Sequence, residues 1–136
     1  RRITSGGSLK KVVILLSNEK HSPRRGEVWQ VDFNPTKGSE IKKLRPAIVI
    51  SSDAIGALPI KLVAPITTWN DSFIGKLWLV SIEPSETNGL MQKSVVDTLQ
   101  IRGVDIQARF IKKLGVLPAP TMEEIAASIA IVVEYQ

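Results

Sequence analysis

The chain has 136 residues, with 18 Lys and Arg against 13 Asp and Glu and a formal charge of +5. That length fits one domain with a real core, and the modest basic excess fits a polyanionic partner as well as an ordinary basic protein. Without cysteine, neither a disulfide framework nor a thiolate metal site can form, so a cytosolic protein is the natural expectation.

The single histidine, His21, rules out a multi-histidine metal cluster. No apolar run approaches the roughly 20 residues needed to cross a bilayer. In chain order, residues 1–24 read as an N-terminal extension. The chain opens on Arg1, which suggests a processed product or a fragment. Thr4-Ser5-Gly6-Gly7-Ser8 is linker-like, and the apolar run Val12-Val13-Ile14-Leu15-Leu16 is hemmed by Lys10, Lys11 and Asn18-Glu19-Lys20. The run is short and no small-residue cleavage site follows, so it does not read as a secretory signal. An appended strand or a vector-derived leader is expected, with His21 exposed on it. Pro23-Arg24-Arg25-Gly26 marks the boundary, and the core domain is expected over residues 25–136.

From Glu27 the pattern is that of a small β protein. Residues 27–33 alternate, with Trp29, Val31 and Phe33 on one face and mostly polar residues on the other. Asn34-Pro35 ends this strand. Residues 35–44 then form a loop punctuated by Pro35 and Gly38, carrying Lys37, Lys42, Lys43 and one carboxylate, Glu40. The apolar run Ala47-Ile48-Val49-Ile50, set between Pro46 and Ser51-Ser52-Asp53, predicts a strand buried on both faces. Arg45 therefore stands where a basic loop meets a rigid strand. It reads either as a solvated strand-end charge or as a functional group anchored on a stiff scaffold.

Residues 60–68 predict a third strand, in which Pro65 removes a ladder donor and implies a bulge or an edge. Trp69 and Phe73 follow on a turn. Residues 77–82 and 94–101 predict a fourth and a fifth strand, with Trp29 and Trp78 both in strands and in the core. A last strand over residues 110–117 is broken by Pro118 and Pro120. Thr121 then opens a helix, with Glu124 placed to complete a capping box. Met122, Ile125, Ala126, Ile129, Val132 and Val133 form its apolar face. Short strands closed by one helix indicate a compact β barrel.

Several short motifs occur in a telling order: Arg25-Gly26-Glu27-Val28-Trp29, Asp32-Phe33-Asn34-Pro35-Thr36, Gly38-Ser39-Glu40, Arg45-Pro46-Ala47 and Val49-Ile50-Ser51-Ser52-Asp53, then Ala64-Pro65-Ile66-Thr67-Thr68, Gln100-Ile101-Arg102 and Leu114-Gly115. Their order and spacing resemble the MazF/PemK/Kid toxins over residues 25–135. The resemblance implies a mainly β, SH3-like barrel with a C-terminal helix, paired as a homodimer. It implies ribosome-independent, sequence-specific cleavage of single-stranded RNA, mRNA included, with no cofactor and no metal. A cognate MazE-like antitoxin with an acidic C-terminal tail would neutralise the toxin. DNA would be met only indirectly, through that complex, and no membrane is implied.

Carried over residue by residue, the resemblance implies Arg45 and Thr67 as the catalytic pair, with Glu40 as a further site carboxylate. Lys37, Gly38, Ser39, Lys42, Lys43, Thr68, Trp69, Phe73 and Gln100 are the expected RNA-binding positions. The lysines also read as solvated loop charges, and Trp69 and Phe73 as packing over the barrel mouth instead of stacking on bases.

The chemistry suits these residues. RNA supplies its own nucleophile, the 2′-hydroxyl, so the protein must orient it and stabilise a phosphorane-like transition state. A guanidinium offers donors in a fixed fork that fits phosphate oxygens, and donors aimed at developing charge are often the largest catalytic contribution. Thr67 adds a neutral hydroxyl donor. Arginine stays protonated, so the proton acceptor is either water positioned by Arg45 or Glu40.

One departure from the family stands out. Many members carry an acidic residue before the glutamine of the fifth strand, where this chain has Leu99. In some relatives an Arg and an Asp of that strand take part in catalysis; the aligned positions are Asp97 and Leu99, which favours the Arg45–Thr67 scheme and leaves Asp97 an outward-facing polar residue. The alternative reading is a non-catalytic gyrase poison or nucleic-acid-binding module on the same fold.

Overall fold

The computed structural model describes residues 22–135, so the 12–16 run and His21 lie outside the described residues. Branched and aromatic side chains dominate three adjacent antiparallel strands: β1 (Glu27–Asp32), β2 (Leu44–Val49) and β3 (Ile60–Thr68). They are joined by β4 (Leu79–Ile82), β5 (Ser94–Asp97), β6 (Arg102–Asp105) and β7 (Phe110–Val116). The strand order is β4-β5-β3-β2-β1-β7, with β6 paired to β3 off this path. A short helix, α1 (Ile106–Arg109), links β6 to β7, and α2 (Ala119–Val132) follows β7. The result is an SH3-like barrel in which β4 and β7 end the strand path without pairing to each other.

Both faces of the central strands are covered, which is why their apolar residues run without a break. On one face Trp29, Val31 and Phe33 pack with Ala47, Val49, Val63, Val104 and Phe110. On the other, Val28, Ile48, Ala64 and Ile66 pack beneath β4 and β5 and against Met122 and Ile125 of α2. Residues 47–49 of the apolar run are thus buried in β2 as its composition predicts, while Ile50 lies past the strand end and is half-buried. The second face of β1 keeps Gln30 and Asp32 half-buried, while Val28 on it is fully buried in the cluster that includes Met122 and Ile125 of α2. Glu27, also buried, accepts hydrogen bonds from Trp29 Nε1 at 2.9 Å and Arg24 N at 3.0 Å, and pairs with Lys113 at 3.3 Å.

Pro65 sits where β3 changes partner. Residues Ile60 to Val63 pair with β6, and Ile66 to Thr68 pair with β5. The missing amide donor therefore falls at an interruption of one ladder, inside a central strand and not at a sheet edge.

Three expectations are corrected. Residues 94–101 are not one strand: Asp97 Oδ1 accepts from Leu99 N at 3.0 Å and caps a 3₁₀ turn, Thr98–Gln100, that redirects the chain into β6. Trp78 precedes β4 in a turn and is half-buried, with its carbonyl accepting from Thr98 Oγ1 at 2.7 Å. The capping box at Thr121 and Glu124 does not form, because α2 begins at Ala119 with Pro118 as its N-cap. Pro120 in the first turn removes an amide that would have had no helical partner. The helix buries Met122, Ile125 and Ser128, while Ala126 and Val133 of the expected apolar face stay exposed. Among the described residues, no helix is long and apolar enough to cross a membrane.

Candidate active site

The loop between β1 and β2 is shaped by bonds at its base, tip and side. At the base, Phe33 N donates to Lys43 O at 3.0 Å and Lys43 N to Asn34 Oδ1 at 3.1 Å. At the tip, Glu40 Oε1 accepts from Lys37 N at 2.8 Å while Glu40 N donates to Lys37 O at 3.1 Å, closing a turn around Gly38, whose φ is +57°. At the side, Ile41 N donates to Gln100 Oε1 at 2.7 Å, and Gln100 Nε2 donates to Asp97 Oδ2 at 3.1 Å. Two arginines hold the β1 end: Arg102 Nη1 donates to Phe33 O at 2.9 Å, and Arg109 Nη1 to Asp32 O at 3.0 Å and to Asn34 O.

This scaffold fixes Arg45. Its Nε donates to Lys42 O at 2.9 Å and its Nη1 to Thr67 Oγ1 at 3.3 Å. The strands dictate the meeting. Ala47 pairs with Pro65 across β2 and β3, and the same register carried on by two residues sets Arg45 opposite Thr67, on one face of the sheet. Both side chains are half-buried. Among the described residues Arg45 makes no other side-chain hydrogen bond, and Thr67, as acceptor, keeps its hydroxyl proton available for another oxygen. Lys37, Lys42 and Lys43, on the loop that leads into Arg45, are exposed.

Glu40 is not joined to this pair. Its bonds lie within its own loop, and among the described residues no hydrogen bond or ion pair links it to Arg45 or Thr67. It borders a cleft of ≈ 430 Å³ together with Pro35, Pro65, Leu99, Gln100 and Arg102. Asp97, expected to face outward, is half-buried and acts as a cap. Trp69 and Phe73 pack edge to face with centroids 6.2 Å apart, Trp69 Nε1 donates to Asp71 Oδ1 at 2.9 Å, and Lys93 Nζ lies 4.2 Å from the Trp69 ring centre. One face of Trp69 is thus covered by a cation. Gly38, Ser39 and Thr68 are exposed. Among the described residues, no group of three or more His, Cys, Asp or Glu could hold a metal ion.

The sequence pattern of the family described as PemK-like, MazF-like toxin of type II toxin–antitoxin system matches residues 24–133. The chain belongs to this family. Among its relatives, endoribonuclease MazF9 of Mycobacterium tuberculosis is 33% identical over 109 residues, covering 75% of this chain and 88% of the relative. Endoribonuclease toxin ChpB of Escherichia coli is 32% identical over 119 residues, covering 85% and 98%. The fold agrees as well: MazF from Deinococcus radiodurans superposes with a TM-score of 0.71 at 24% identity, over 85% of this chain and 99% of that one. An endoribonuclease in complex with its cognate antitoxin from a mycobacterial species gives 0.67 at 19% identity, over 85% and 98%.

Within this PemK/MazF-type chain, sequence reasoning left Arg102, Arg109 and Lys93 without a role. Arg102 and Arg109 hold backbone carbonyls 69 and 77 residues away, so their partners have no local signal, although Arg102 ends the Gln100-Ile101-Arg102 motif. Lys93 reaches Trp69 because the register of β3 and β5 brings their ends together.

Proposed function

We propose that this chain is an endoribonuclease toxin that cuts single-stranded RNA at a short sequence, without a metal, by internal attack of the 2′-hydroxyl, and that a cognate antitoxin restrains it. The observation that carries this reading is the 3.3 Å hydrogen bond from Arg45 Nη1 to Thr67 Oγ1 at the head of a basic loop. The named activity of MazF9 and ChpB and the antitoxin complex of the mycobacterial neighbour support it.

In this mechanism the 2′-oxygen attacks the adjacent phosphorus and the bond from phosphorus to the 5′-oxygen breaks. The products are a 2′,3′-cyclic phosphate and a 5′-hydroxyl. The free N–H groups of Arg45 and the hydroxyl of Thr67 donate to the non-bridging oxygens as charge builds on them. The proton of the attacking hydroxyl passes to water held in the Arg45 fork, since among the described residues the bonds of Glu40 lie within its own loop and none reaches Arg45 or Thr67, and water returns a proton to the leaving oxygen. No metal is required, because the substrate carries the nucleophile. Lys37, Lys42 and Lys43 draw in the RNA backbone. The exposed Ile55, Leu58, Ile60 and Leu62 support pairing as a homodimer.

The test is incubation with a long mixed-sequence RNA in EDTA, followed by mapping of the cut ends. The expected result is cutting at one short motif with cyclic phosphate ends. Binding without cutting, or cutting only with added divalent cation, would overturn the reading.

A further inference from the structure

A second cleft, of ≈ 320 Å³, adjoins Arg45 and Thr67 on the other side of the strands that carry them. Its lining includes Pro46 and Thr68, the immediate neighbours of that pair, together with Gln30, Met91, Gln92 and Lys112. The placement follows from the pleat. Gln30 pairs with Pro46 on β2 and with Lys112 on β7, so these side chains share one face, and Arg45 and Thr67 share the other. Arg45 is the second residue of β2 and Thr67 the last but one of β3. Each is therefore one residue from a residue that lines the second cleft.

The far wall of this cleft is rigid. Asn88, buried, accepts from Ser85 N at 3.0 Å and Leu90 N at 2.9 Å and donates to Glu83 O at 2.9 Å. Gly89 and Gly115 let this turn lie flush on β7: a Cβ on Gly89 would overlap the Leu114 carbonyl, and one on Gly115 the Thr87 carbonyl. The turn so fixed displays Met91 at 90% exposure. Lys112 is the one charged residue among the described residues of the lining, which include no carboxylate. An ammonium for a phosphate, amide groups for base edges and a polarisable thioether for a base face suit one nucleotide unit.

We infer that this cleft binds the nucleotide next to the scissile phosphate, with Lys112 on the adjoining phosphate and Met91 against the base. The inference rests on the nuclease reading above for the position of the scissile phosphate. It requires only binding, so a 2′-O-methyl RNA oligonucleotide, which cannot be cut, tests it separately. Affinity is measured against salt for the wild-type chain, Lys112→Ala and Arg24→Ala. Arg24 removes the same charge at the opposite end of β2, near Asp53.

Lys112→Ala is expected to weaken binding several-fold and to flatten the logarithmic salt dependence by about 0.7, the value for one single-strand phosphate contact. Arg24→Ala should match wild type, and Met91→Ala should weaken binding without changing the salt dependence. Shortening the oligonucleotide from one end should abolish the Lys112 effect, and shortening from the other should spare it. Equal behaviour of the Lys112 and Arg24 variants, or a Lys112 effect indifferent to both truncations, would overturn the assignment. So would a loss confined to an acidic peptide such as poly-glutamate, which would give the cleft to a protein partner. Failure of the wild-type chain to cut ordinary RNA would sink the nuclease reading and leave this measurement interpretable.

Discussion

Gln100 Oε1 accepts the Ile41 amide at 2.7 Å across 59 residues of sequence, and through that bond the basic loop is tied to the 3₁₀ turn capped by Asp97. The family resemblance implies RNA contact for Gln100; the geometry makes it a brace.

Gln100→Ala should therefore cost about 1 kcal/mol of stability and speed hydrogen exchange at the Ile41 amide. Cleavage should slow with the salt dependence of RNA binding unchanged, since no phosphate contact is lost. Gln100→Glu keeps the acceptor for Ile41 but replaces the amide donor to Asp97 Oδ2 with a second carboxylate, so it should restore Ile41 protection only in part. If Gln100 instead reads a base, the alanine variant will shift the cut sequence while Ile41 stays protected.

Gly115→Ala bears on the wall of the second cleft. A methyl group there would collide with the Thr87 carbonyl and the Asn88 backbone, neither of which is a flexible side-chain end. A loss of about 3 kcal/mol, at the upper end of ordinary overpacking, is expected in denaturant unfolding. Gly75→Ala, with open space around its Cβ but a φ of +81°, should cost only the backbone strain of about 1–2 kcal/mol.

Arg45 and Thr67 should fail as a unit. Arg45→Ala is expected to lower the single-turnover cleavage rate by roughly 10²–10³-fold, the usual cost of removing one such donor. Arg45→Lys should recover little, because an ammonium cannot span the Lys42 carbonyl, Thr67 and phosphate together. Thr67→Val should be similar or milder than Arg45→Ala, and Thr67→Ser nearly active. The double variant should be little worse than Arg45→Ala, since the two side chains share one hydrogen bond. Full additivity would show that they act independently. All variants should retain their fold, both side chains lying outside the two apolar clusters.

What was legible in the sequence was whatever short-range chemistry dictates. The apolar run at 47–50 announces a strand buried on both faces, and β3 spans the residues its composition marks, with the ladder interrupted at Pro65. The pairing of Arg45 with Thr67 was legible only through family motifs, because the contact depends on strand register 22 residues apart. β6 escaped notice for a physical reason: four residues, one of them Gly103, are too few to establish a period. Thr121 and Glu124 mimic a capping box, yet the prolines before them already favour a helical start, and α2 begins at Ala119. The full burial of Val28 on β1 rests on a cluster shared with α2, which no reading of β1 alone can supply.

The central claim is that the 2′-hydroxyl of the substrate is the nucleophile served by Arg45 and Thr67. The most direct measurement is single-turnover cleavage of one RNA oligonucleotide against its twin carrying a single 2′-deoxyribose at the scissile position, in EDTA. The account predicts that the two bind alike, that the ribose form is cut to a 2′,3′-cyclic phosphate and a 5′-hydroxyl, and that the deoxy form stays whole. Cutting of the deoxy form at a comparable rate would contradict it.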